Sequence, residues 1–189
     1  MSEIVYHGAS KTYAPELGCS AHIALKSLNF NLQKGKTLGL IGANGAGKST
    51  CIRLLMDFIR PDSGTITIDG KNPTDNTLRR RIGYLPEIAS FPPSLTIRDM
   101  LRFVGTTHGL SKEKLKQSSD HWLHTLGLWE ARKKPIRTYS KGMQQRAGFV
   151  LALVHDPELL ILDEPMSGLD PIGRVQIADL IHDLKEQGK

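Results

Sequence analysis

Apolar positions along the chain recur with two different periods, and the switches between them mark its elements. From Ile23 to Leu32 the run I-A-L-K-S-L-N-F-N-L alternates in part, as a strand with one covered face does. After Lys34-Gly35-Lys36, the apolar run from Thr37 to Ile41 reads as a buried strand leading into a glycine-rich loop. From Ser49 to Ile59 the spacing becomes that of Ile52, Leu54, Leu55 and Phe58, which is helical and must stop before Pro61. Gly64 to Ile68 returns to alternation, Thr against Ile, and closes on Asp69-Gly70, a pair suited to a tight turn. Ile82 to Leu85 predicts a further short strand, ended by Pro86.

The middle of the chain is helical in pattern. Thr96, with Asp99 three residues on, offers a cap to a helix through Met100, Leu101 and Val104 that ends at Gly109. A second helix is predicted from Lys112 to Leu126, capped by Ser111 and stopped by Gly127, and a third from Gly142 to His155. Leu159 to Leu162 is a run of aliphatic residues, expected as a strand buried on both faces of a parallel sheet. The last helix starts at Pro171 behind Asp170 as cap, with Ile177, Leu180, Ile181 and Leu184 forming one apolar stripe. The layout is α/β, interrupted by a mostly helical insertion over residues 89–156.

Composition narrows the class without naming it. At 189 residues, 39% hydrophobic and 23% charged, the chain suffices for one domain with a sizeable core rather than for disorder. The formal charge of +6 rests on 25 basic against 19 acidic residues, an excess that solvated faces explain, so no nucleic-acid partner is expected. Cys19 and Cys51 lack a Cys or His neighbour at metal-ligand spacing, which argues against a disulfide framework or a zinc site and suits a reducing compartment. His121 and His124 are three apart on a predicted helix, without a third ligand nearby. Arg79-Arg80-Arg81 and the stretch Arg132-Lys133-Lys134-Pro135 read as solvated charges. Apolar runs such as Gly148 to Val154 fall short of the ~18 residues that span a bilayer, so a membrane role would come through another polypeptide or a surface contact.

Gly42-Ala43-Asn44-Gly45-Ala46-Gly47-Lys48-Ser49 matches the phosphate-loop pattern G-x-x-x-x-G-K-[ST] between a predicted strand and a predicted helix. Glycines let successive backbone N–H groups turn inward, and the helix N-terminus adds partial positive charge where phosphates would sit. Lys48 supplies a point charge to the outer phosphates and the Ser49 hydroxyl a ligand for Mg²⁺. The aliphatic run before Asp163-Glu164 places two acids at the carboxyl end of a strand, where α/β sheets bind ligands. Asp163 suits the hydrated metal, and Glu164 suits a base or water-orienting group for attack on the γ-phosphate.

Three further segments carry a resemblance. Y-S-K-G-M-Q-Q-R from Tyr139 to Arg146 resembles the signature segment of ATP-binding cassette (ABC) ATPases, Ser167-Gly168-Leu169-Asp170 resembles their D-loop, and Tyr84-Leu85-Pro86-Glu87 resembles the loop joining their core to the helical insertion. The order of all these motifs matches that family along essentially the whole chain. The resemblance implies a P-loop NTPase (RecA-like) core with an antiparallel β subdomain and an inserted α-helical subdomain. It implies ATP and Mg²⁺ as cofactors, with Gly42 to Ser49 and Thr50 on the nucleotide and Tyr13 where the family places an aromatic residue against adenine; a surface role for Tyr13 is the other reading. Ser49, Asp163 and Glu87 would be metal ligands, and Glu164 the catalytic residue.

In that family two cassettes close head to tail, each ATP lying between the phosphate loop of one and the signature of the other. Ser140, Lys141, Gly142 and Met143 would then act on a partner's ATP, although Ser140 and Gly142 are also what a plain helix start requires. Lys141, Met143 and Glu87 depart from the commonest pattern, which has glycine at the first of these positions and glutamine at the other two. The implied partners are a second ABC ATPase subunit, as homo- or heterodimer, and a separate transmembrane permease chain, at the cytoplasmic face of the inner membrane. The wording of the motifs resembles the bacterial exporter branch for drugs, polysaccharides or lipids. The loop from Glu87 to Ile97, with Phe91, would face that partner or pack the insertion on the core. A soluble ABC ATPase acting on DNA or ribosomes is the alternative, and an unrelated phosphate-loop kinase a second. Family members carry a γ-phosphate-contacting histidine on the strand after the last helix. Neither His182 nor His155 can take that place before the chain ends at Lys189, so residues 1–189 read as a single ABC ATPase domain incomplete at its C-terminus.

Overall fold

The computed structural model describes residues 3–14 and 21–189. Cys19 lies outside the described residues, and Cys51 is buried as a free thiol. The chain divides into two compact units, one of residues 1–79 with Gly188 and one of residues 80–187 with Lys189.

The first unit is built on a three-stranded antiparallel sheet of β1 (Ile4–Tyr13), β2 (His22–Leu32) and β3 (Ser63–Ile68), in the order β2-β1-β3. The central strand β1 has no counterpart among the elements predicted from the pattern. Its inward face runs through Ile4, Tyr6 and Ala9, all buried, and register shifts after Tyr6 break the simple alternation. Tyr6 stands opposite Phe30 on one side and Ile66 on the other, stacking on the Phe30 ring at 4.4 Å. Helix α1 (Lys48–Leu55) packs Cys51, Ile52, Leu54 and Leu55 inward, and the Tyr6 hydroxyl donates to the Cys51 carbonyl at 2.8 Å. At the end of β3, Asp69 and Gly70 both have positive φ, and Ile68 and Lys71 exchange backbone bonds across them, so the expected tight turn is present. The short helix α2 (Asn76–Arg79) closes the unit, with the Arg79 guanidinium 3.8 Å from Asp57.

One expectation is overturned here. Thr37 to Ile41 forms no strand, and its side chains are exposed, Ile41 to 98%. An apolar run becomes a strand only against a neighbour whose N–H and C=O groups complete a ladder, and no strand among the described residues pairs with this one.

The second unit pairs β4 (Ile82–Leu85) with β5 (Leu159–Leu162) in parallel, Ile82 opposite Leu159 and Leu85 opposite Leu162. Only Ile161 of β5 is fully buried, so burial on both faces, expected from its composition, is corrected: β4 is the one strand paired with it among the described residues. Four helices follow the predicted starts, α3 (Ile97–Thr107), α4 (Lys112–Thr125), α5 (Lys141–Leu153) and α6 (Pro171–Glu186). Each start is set by the residue before it. Thr96 and Asp99 form a reciprocal capping box, while Ser111, Ser140 and Asp170 accept from the N–H three residues on. The core gathers Leu85 from β4, Ile97 and Leu101 from α3, Leu123 from α4, Phe149 and Leu153 from α5, and Ile177 and Leu184 from α6. Phe91 packs against this core, which is the second of its two sequence readings. Arg81 is not merely solvated: its guanidinium lies 2.7 Å from Glu158 and lowers that carboxyl below the usual carboxylate range. No helix among the described residues is long and apolar enough to cross a membrane.

Candidate functional site

The phosphate loop belongs to the first unit and heads α1 directly. Gly45 and Gly47 have φ of 83° and 89°, the left-handed region that an L side chain resists, and a Cβ on Gly47 would lie 2.4 Å from the Ala24 carbonyl oxygen. Gly47 is thus required twice, for its backbone angle and for its closeness to β2. The Lys48 ammonium curls over the loop, donating to the carbonyls of Gly42 at 2.8 Å and Ala43 at 3.1 Å, while the Ala46 N–H bonds the Ala43 carbonyl. The cation is thus held against the loop's own backbone by two carbonyl oxygens. Residues 42–46, Asn44 among them, are exposed; Ser49 is half-buried and Thr50 buried. Tyr13, half-buried at the end of β1, lies with its hydroxyl 3.4 Å from the Thr50 hydroxyl, so the one aromatic candidate for the nucleotide base stands beside the first turn of α1.

In the second unit the acids follow from strand register. Because β4 and β5 run parallel with Leu85 opposite Leu162, Glu87 and the Asp163-Glu164 pair leave the same carboxyl end of the sheet. The Asp163 N–H continues the ladder by bonding the Leu85 carbonyl at 2.9 Å, and its side chain is buried, whereas Glu164 and Glu87 are exposed. Glu164 has φ of 49°, unusual for a non-glycine residue and costly unless its surroundings enforce it. Its carbonyl accepts from the Ser167 N–H at 3.0 Å, the first contact of the 167–170 segment with the acidic pair.

The signature segment starts α5. Ser140 is exposed and caps the helix by accepting from the Met143 N–H at 3.2 Å, so the plain helix-start reading of this residue is met. Tyr139 before it is buried and donates to the Ala131 carbonyl, and burial raises its phenol above the ordinary value. A Cβ on Gly142 would stand 3.3 Å from the Gly168 carbonyl oxygen, and one on Gly168 would stand 3.2 Å from the Lys141 Cβ. The 167–170 segment therefore lies against the first turn of α5, with Leu169 buried beneath it and Asp170 capping α6.

Sequence reasoning missed Gln145. This α5 residue is only 5% exposed, and its amide donates to the carbonyls of Glu164 and Pro165, at 3.3 and 3.1 Å. The signal was available, since Gln145 is a polar side chain one turn before Phe149 on the apolar face of a helix. The candidate histidines went elsewhere: His124 stacks on Trp129, over which Arg132 also lies, and His121 meets Trp122 edge-on.

The candidate metal donors are the Ser49 hydroxyl and the carboxylates of Asp163 and Glu87. Each is a hard oxygen, the donor type that suits Mg²⁺ rather than a softer ion, the serine belonging to the first unit and the two carboxylates to the second.

The profile of the ABC transporter family matches residues 25–167. An uncharacterized ABC transporter ATP-binding protein of Synechocystis sp. is 45% identical over 168 residues, 88% of this chain and 48% of that protein. The bacitracin transport ATP-binding protein BcrA of Bacillus licheniformis is 44% identical over 162 residues, 85% of this chain and 52% of that one. Among solved structures, an ATP-binding cassette in a dimeric post-hydrolysis state bound to ADP and Pi superposes with a TM-score of 0.88 at 26% identity, covering 98% of this chain and 84% of the other. The chain spans about half the length of these curated relatives.

Proposed function

The chain belongs to the ABC transporter family, and from that premise we propose that it is the Mg²⁺-dependent ATP-binding and ATP-hydrolysing subunit of a membrane exporter. The observation that carries the reading is the start of α5, where an exposed Ser140 caps a helix whose first turn lies against Gly168. A kinase would need an acceptor pocket there. An exposed helix N-terminus headed by a serine instead suits the phosphate of a nucleotide carried by a second copy or a paralogous subunit.

The roles follow from the chemistry of each group. Loop N–H groups from Gly42 to Ser49 and the Lys48 ammonium hold the phosphates, and Tyr13 stacks on the base. Glu164 orients the attacking water and accepts its proton, and Ser140, Lys141, Gly142 and Met143 receive the γ-phosphate of the partner's ATP. Ser49, Asp163 and Glu87 would hold Mg²⁺, which when bound neutralises charge building on the phosphate oxygens. Ser167 to Asp170 tie the acidic pair to the same dimer face. Two subunits closing on ATP and separating after hydrolysis would drive a separate transmembrane permease chain at the cytoplasmic face of the inner membrane.

A transport role is supported by BcrA, whose name assigns it to bacitracin transport. Both curated relatives carry transporter names, which supports a pump over a soluble ATPase working on DNA or ribosomes. The test is phosphate release by the protein together with its permease in vesicles. Mg²⁺-dependent turnover stimulated by an exported compound is expected, and turnover that responds to DNA or ribosomes but not to the permease would overturn the reading.

A further inference from the structure

Gln145 joins two parts of the chain that the proposed function assigns to different nucleotides. It lies on α5, whose N-terminus would address the partner's ATP, and its amide bonds the backbone of Glu164, which would act on the ATP of its own subunit. A buried amide is costly unless its polar atoms are satisfied, and both partners here are carbonyls, so the NH₂ end must face them. Those carbonyls belong to Glu164 and Pro165, around the left-handed φ of Glu164. With the Ser167 N–H on the Glu164 carbonyl as well, three donor contacts hold a backbone that would otherwise relax to an ordinary angle.

We propose that Gln145 is a positioning residue that couples the two ATP sites of the dimer. When the N-terminus of α5 engages the partner's γ-phosphate, the helix settles as a unit, and Gln145 fixes the Glu164 carbonyl, and with it the direction of the Glu164 carboxylate. Each site's base is then set by occupancy of the other site. The 167–170 segment, packed on the same turn of α5, moves with it. This inference rests on the ATPase reading above.

Gln145→Met keeps the length and removes both donors, and Gln145→Glu restores one donor only when its carboxyl is protonated. In the whole protein, Gln145→Met is expected to retain ATP affinity and the parental melting temperature within a few degrees. Turnover should fall on the order of tenfold, the loss expected from one or two hydrogen bonds, with KM little changed. The Hill coefficient for ATP should fall from near two toward one. Gln145→Glu should behave like Gln145→Met at alkaline pH and recover turnover as pH falls, a response that loss of packing alone would not produce. Cooperative turnover in Gln145→Met equal to the parent overturns the coupling and leaves the ATPase reading standing. An unfolded Gln145→Met with a fully folded, cooperative Gln145→Glu at alkaline pH also overturns it, because packing would then be the whole role. A parent that neither hydrolyses ATP nor dimerises on it removes both.

Discussion

His155 stacks on His108 with ring centroids 3.8 Å apart, and the Nε2 of His155 pairs with the Ile82 carbonyl at 3.1 Å. Burial, and then the neighbouring His108 ring, push His155 down from an ordinary 6.5 to about 4; burial, and then Arg80, also lower His108. The Ile82 carbonyl and Asp156 oppose the shift in His155 and Lys189 reinforces it, with burial the largest influence, so His155 favours its neutral form in the folded state. The unfolded chain takes up these protons first as pH falls. Stability should be full above about 6.5, decline between there and about 4, and change no further on account of His155 below that. Discounted for partial exposure, the loss is on the order of 1–2 kcal/mol. Thermal unfolding at pH 7.5 and pH 5 should show a drop that His155→Phe reduces. A pH dependence identical in parent and variant would remove His155 as its source.

Lys48→Ala deletes both the cation and its bonds to the Gly42 and Ala43 carbonyls. ATP affinity should fall at least tenfold, in line with the loss of charge-assisted contacts to phosphate, while the fold survives because Lys48 is only half-buried. Titration calorimetry decides this, and unchanged affinity would mean the loop is not the phosphate site.

Glu164→Gln keeps the shape of the side chain and removes its basicity. Nucleotide binding should persist, hydrolysis should fall by at least 10²-fold, and an ATP-bound dimer should accumulate. Parental turnover in this variant, measured by phosphate release, would exclude Glu164 as the base.

Ser140→Arg places bulk and charge at the exposed start of α5. Binding of ATP to a single subunit should be unaffected, because Ser140 would act only across the dimer, whereas closure should fail. Sedimentation with MgATP in a Glu164→Gln background measures this directly, and a dimer as abundant as without the Ser140 change refutes the trans arrangement.

Local chemistry was legible from residues a few positions apart. The helix starts at Thr96, Ser111, Ser140 and Asp170 could be read because each cap bonds an N–H three residues on, a contact contained within one turn. The loop pattern from Gly42 to Ser49 was legible for the same reason, since Lys48 bonds carbonyls five and six positions before it, whereas the close approach of Gly47 to Ala24 on β2 was not. Pairing of β4 with β5 was anticipated only as far as both runs are short and apolar; that Glu87 and Asp163 leave the sheet together depends on register across seventy-odd residues.

What pattern could not supply is partnership. β1 escaped notice because its pairing is with Leu32 at one end and Ile68 across the sheet, and bulges spoil the alternation that would have marked it. Thr37 to Ile41 has the composition of a buried strand and yet lies exposed, because apolar character is a property of residues whereas a strand is a property of neighbours. Gln145 is the same lesson in side-chain form: the sequence by itself determined that an amide would sit on an apolar helix face, and only the tertiary structure decided that the carbonyls of Glu164 and Pro165 would meet it, since hydrogen bonds between residues nineteen and twenty apart are chosen by how α5 packs rather than by what lies beside it in the chain.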